Sequence, residues 1–148
     1  MIDDRYHIEV DEKNTVYEFV SIGSKGNVHK IVKYSETNLK NLYNLGFGDK
    51  DQDTSEVNDL VVTNNGDSQK VLSTVAATVY HFTDKYPDAS IIAAGSTKAR
   101  TRLYQMGISN NLEAIEKDFA VYGLKAKRWE SFNKKASYEA FLVKRKKT

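Results

Sequence analysis

The chain has 148 residues, a formal net charge of +2, 40% hydrophobic residues and 28% charged residues. That length suits one globular domain over residues 1–148, large enough to bury about 70% of its unfolded surface without a covalent or metal staple. It has no cysteine, which excludes a disulfide framework, thiolate zinc sites and a cysteine nucleophile. The acidic first residues and the shortness of every apolar run predict no membrane segment and cytoplasmic residence.

Residues 6–10 read as a first strand with Tyr6, Ile8 and Val10 on one face. Residues 16–22 and 28–34 are further strands, joined by a turn with Gly23 and Gly26. Residues 39–47 are apolar and read as a strand or a short helical turn. Residues 49–53 form an acidic loop, and residues 57–63 read as another strand. A helix then starts near Asp67. Its apolar positions Val71, Val75, Val79, Phe82 and Tyr86 recur at helical spacing, and Pro87 ends it. Residues 90–94 form a short apolar strand suited to a sheet interior. A second helical region carries Leu103, Tyr104 and Met106, is interrupted at Gly107 and resumes through Leu112, Ile115 and Phe119. Residues 121–124 and 138–143 are the closing strands, with a hairpin around Asn133-Lys134-Lys135. The expected fold is α+β: a mostly antiparallel mixed sheet with two main helices, in the order strands, helix, strand, helix, strands.

Two helix starts carry the candidate chemistry. At Asn64-Asn65-Gly66-Asp67-Ser68 a strand would pass through a glycine turn into a helix. The free N–H groups and partial positive charge of a helix start can hold a phosphate, and Gly66 removes a side chain from the approach. Asp67 argues the other way, because its carboxylate repels phosphate and suits the N-cap. An ordinary capped turn is therefore the competing reading. The second start, Gly95-Ser96-Thr97, follows the buried strand and leads into Lys98, Arg100 and Arg102. Ser96, Thr97, Arg100 and Arg102 form a candidate anion site, against the plainer reading of a capped helix with solvated charges. The three histidines are scattered and form no metal-ligand spacing.

The element order, the turn Asn65-Gly66-Asp67-Ser68, the strand at 91–94 and the segment Arg102-Leu103-Tyr104-Gln105-Met106-Gly107-Ile108 resemble the second half of the GNAT (Gcn5-related N-acetyltransferase) fold over residues 57–143. The resemblance implies an acyl-CoA-binding or degenerate acyltransferase domain with acetyl-CoA as ligand. It implies that Asn65, Gly66, Asp67 and Ser68, with Lys70 nearby, hold the pyrophosphate, and that Tyr104 is the general acid toward the leaving thiolate. The chain as a whole also resembles uncharacterised bacterial families of this size, which implies no activity.

Charge is uneven along the chain. Residues 1–67 carry seven lysines and arginines against thirteen acids, whereas residues 125–148 carry nine against two. With Trp129, Phe132, Tyr138 and Phe141 interleaved, this basic end supports a second reading: a nucleic-acid- or protein-binding module, as in a toxin–antitoxin-like pair. The plainer reading is an edge strand guarded by lysines.

Overall fold

Alternation of large apolar and polar side chains sets the N-terminal half. In a computed structural model, which describes residues 4–58, 63–95 and 97–147, β1 (Glu9–Val10), β2 (Val16–Gly23), β3 (Gly26–Glu36) and β4 (Leu42–Asp49) form an antiparallel meander. Tyr17 and Phe19 of β2, Val32 and Tyr34 of β3, and Leu45 and Phe47 of β4 lie on one face and are buried. Helix α1 (Ser68–Lys85) lays Val71, Val75 and Phe82 on that face. The Phe82 ring stacks on Tyr34 at 4.1 Å between centroids. Burial of a side chain such as Phe82 is worth about 2–3 kcal/mol.

The chain then adds β5 (Ser90–Ala93), α2 (Lys98–Asn110), α3 (Leu112–Asp118), β6 (Phe119–Lys125), β7 (Arg128–Ser131) and β8 (Ala140–Arg145). The eight strands form one sheet in the order β1-β2-β3-β4-β5-β8-β6-β7. Only β4 and β5 are parallel, and they pair at Leu42–Ser90, Tyr43–Ile91 and Asn44–Ile92. Beyond Asn44 the two strands part, and residues 45–49 of β4 keep β3 as their partner. The fold is α+β with a mixed, mostly antiparallel sheet, as the sequence predicts. No described helix is long and apolar enough to cross a membrane.

Four local expectations change. The first strand is reduced to Glu9–Val10, because Tyr6 turns toward α1: its N–H donates to Thr74 Oγ1 at 2.9 Å and its ring stacks on Phe19. Of the strand expected at 57–63, Val57 makes an isolated bridge to Lys50, and residues 59–62 lie outside the described residues. Gly107 does not interrupt α2. A Cβ there would stand 3.2 Å from Leu72 Cδ2, so glycine lets α2 approach α1, and the break falls at Asn111 instead. The expected hairpin around Asn133 gives way to one between β6 and β7, where Ala126 and Lys127 both take positive φ. That is the backbone of a tight two-residue turn whose twist suits a hairpin. β8 pairs instead with β6 on one side and β5 on the other.

Candidate functional site

The turn before α1 is fixed from the β2–β3 hairpin. Asn65 is 1% exposed; its amide donates to Gly26 O at 2.8 Å and its side-chain oxygen accepts from Lys25 N–H at 2.6 Å. Its own carbonyl accepts from Ser24 N–H at 3.1 Å. Gly66 follows with φ +79°, a conformation glycine adopts without cost. The pair reverses the chain and points α1 away from the hairpin.

Asp67 stands at the N-cap of α1 but does not cap it. Its Oδ2 accepts from Tyr6 Oη and from Ser21 Oγ, each at 2.5 Å. Burial first, and then the hydrogen bond to this carboxylate, push the Tyr6 hydroxyl up, so it remains a donor. The expectation that Asp67 caps the helix is therefore corrected: two hydroxyls outcompete the backbone for its carboxylate. The N–H groups of Ser68, Gln69 and Lys70 find no acceptor among the described residues, and the positive end of an 18-residue helix is left uncapped.

The start of α2 is arranged differently. Thr97 is a true N-cap: its hydroxyl accepts from Arg100 N–H at 3.2 Å. The Arg100 side chain is 5% exposed, and its Nη2 donates to Asn58 O at 2.7 Å. A Cβ on Gly48 would lie 3.1 Å from that Nη2, so the glycine gives the guanidinium room beside β4.

These two helix starts open onto one pocket of about 400 Å³. Asn65, Asp67, Ser68, Thr97, Arg100 and Arg102 all line it. Its floor includes Phe47 and Lys30, and Leu72, Leu103 and Met106 supply an apolar wall. Lys30 is 1% exposed; its Nζ donates to Asp49 Oδ1 at 2.5 Å and to Thr63 O at 2.8 Å. These acceptors take two of the three N–H donors of the ammonium. Asp49 is further held by the hydroxyl and N–H of Thr63. Its charge is taken up by Lys30, and Asp67 is the one carboxylate among the described residues that line the pocket.

The other predicted residues sit elsewhere. Gly66 shapes the turn without lining the pocket. The Lys70 ammonium lies 4.4 Å above the Tyr6 ring, on the outer side of α1. Ser96 lies outside the described residues. Tyr104 is 6% exposed and lines a separate opening of about 410 Å³ with Arg100, Gly46 and Ala94. Burial pushes its hydroxyl up to about 12, and nearby Arg100 lowers it only in part. Arg100 lines both openings and stands between them.

A family model of unknown function matches residues 3–146. The chain belongs to DUF6934. No curated protein and no solved structure matches it. The DUF6934 chain thus brings no relative's chemistry with it, and its own geometry carries the functional reading. Among its described residues no group of three or more histidine, cysteine or acidic side chains could hold a metal ion.

Sequence reasoning missed Lys30 and Asp49 in this DUF6934 chain. A signal existed: Lys30 lies in phase with Val32 and Tyr34, on the buried face of β3. A lysine at a core position needs an acid partner, because an unpaired buried charge costs several kcal/mol.

Proposed function

We propose that this chain binds a phosphate-bearing small molecule of the coenzyme A class, as a GNAT-like domain that holds the ligand without transferring its acyl group. The observation that carries this reading is the convergence of the two helix starts, Arg102 and the buried Lys30 ammonium on one pocket of about 400 Å³. Uncapped N–H groups at Ser68–Lys70 suit the oxygens of a diphosphate, and the wall of Leu72, Leu103 and Met106 suits an apolar or aromatic portion of the same ligand. The parting of β4 from β5 after Asn44, and the position of α1 between them in sequence, support the GNAT-like layout.

The same layout argues against transfer. In a GNAT-like domain the acyl arm would run through the gap between the parted strands. Here Arg100 stands in that gap, bonded to Asn58 O. Tyr104 lies beyond it, with its hydroxyl held at about 12. A donor that weak protonates a thiolate poorly, since proton transfer would run uphill. Arg100 thus divides the pocket that would take the diphosphate from the opening at Gly46, Ala94 and Tyr104, which supports binding without transfer.

Thermal unfolding with coenzyme A, acetyl-CoA and inorganic pyrophosphate checks this. Saturation near a hundredfold above Kd stabilises by about 2.7 kcal/mol, a rise of roughly 5–10 °C for a chain of this size. Similar rises with coenzyme A and acetyl-CoA, and a smaller one with pyrophosphate, are expected, and Arg102→Glu should abolish all three. No rise with any of them at millimolar concentration would rule the reading out.

A further inference from the structure

The two faces of the sheet are covered unequally. The helices pack on the face bearing Phe119, Val121, Phe141 and Ile91. On the opposite face, the β3–β4 half is covered by the loop 50–58, which Lys50–Glu18 and Lys33–Glu56 ion pairs fasten down. No described element covers the β5-β8-β6-β7 half. The register places Tyr122 and Leu124 of β6 beside Leu142 of β8 and Trp129 of β7 on this face. Trp129 is 43% exposed and Tyr122 36%, although both are residues that normally bury most of their surface. Trp129 lies directly across from Leu124, so Tyr122 is its diagonal neighbour, about 7 Å away.

Charge around this patch has one sign. Lys127, in the β6–β7 turn, and Lys144, in phase with Leu142 on β8, border it and make no ion pair among the described residues, whereas Arg145 and Lys147 are paired with Asp84 and Asp88. Glu130 is turned to the helix side, where it accepts from the Tyr138 hydroxyl at 2.8 Å.

From these observations we propose that the open face of β5-β8-β6-β7 binds a single-stranded nucleic acid. Neighbouring bases stack on Trp129 and Tyr122, and Lys127 and Lys144 contact phosphates. Exposed aromatics flanked by lysines are what a single strand requires: π-faces for its bases and cations for its backbone. A second copy of this chain fits less well, because a two-fold contact would set the same positive patches against each other. An acidic protein would meet the charge but leave the paired aromatics unexplained. This surface is independent of the pocket between α1 and α2.

Trp129 is the only tryptophan in the chain, so its emission reports on the site directly. Titration of the full chain with oligo-dT and oligo-U should quench that emission over the concentrations at which the anisotropy of a labelled oligomer rises. Affinity should fall with added salt, by a log–log slope of roughly −0.7 per phosphate contacted. Trp129→Ala should weaken binding about tenfold, and Lys127→Glu with Lys144→Glu should weaken it further. Arg102→Glu, in the separate pocket, should leave it unchanged. Circular dichroism melts would show that the variants, altered at exposed positions, remain folded. Three results would overturn the proposal: no binding at 50 mM salt, binding that leaves Trp129 emission and the Trp129→Ala affinity unchanged, or self-association that Trp129→Ala abolishes.

Discussion

Lys30 shows how one residue can serve both core and pocket. Its ammonium is buried between Asp49 and the carbonyl of Thr63. Removing one member of such a pair leaves the other charge buried without compensation and costs about 3–5 kcal/mol, while replacing both by apolar groups is often close to neutral. Lys30→Met alone should therefore lower the melting temperature by roughly 6–20 °C. Asp49→Leu added to it should restore most of that loss. The double variant should still bind coenzyme A less tightly, by about tenfold, because the third N–H donor is gone. A double variant as unstable as the single one, with coenzyme A affinity unaltered, would show that Lys30 contributes nothing to the pocket.

Among the elements, β6 and the segment after β7 depend on a glycine. A Cβ on Gly123 would overlap the ring of Tyr138, which packs with Phe132 and Phe141. Gly123→Ala forces that ring aside and should cost about 1–3 kcal/mol, read as a lower denaturant midpoint at unchanged slope. A midpoint equal to that of the parent chain would mean the ring relocates freely. The elements also show what the sequence made legible. Helix α1 could be read because its apolar stripe has one period over 18 residues and Pro87 follows it. The meander could be read from alternation and the Gly23–Gly26 turn. The β6–β7 hairpin could not, since Ala126-Lys127 carries no glycine or asparagine to mark its positive φ angles. Nor could the pairing of β8 between β5 and β6, which is a long-range choice that local periodicity does not encode. The same holds for the site. Each helix start is legible as a candidate, and Asn65, Asp67, Ser68, Thr97, Arg100 and Arg102 follow from it. Their convergence, the diversion of Asp67 to Tyr6 and Ser21, and the depth of Lys30 are tertiary facts.

At the scale of the whole molecule, one sheet presents two unlike surfaces. The helix side carries a pocket where two positive helix ends, Lys30, Arg100 and Arg102 meet around Asp67. The bare side carries the exposed Tyr122 and Trp129, flanked by Lys127 and Lys144. Both are electropositive, so bulk anion binding would not separate them, and residue-level mapping would. Heteronuclear NMR of the labelled chain titrated with coenzyme A separates the two surfaces. The amide resonances of Ser68, Gln69, Lys70, Lys98 and Ala99 should shift together with one dissociation constant, while those of Tyr122 and Trp129 stay in place. Shifts confined to β6–β8, or no shift at millimolar coenzyme A, would contradict coenzyme A binding at the helix starts.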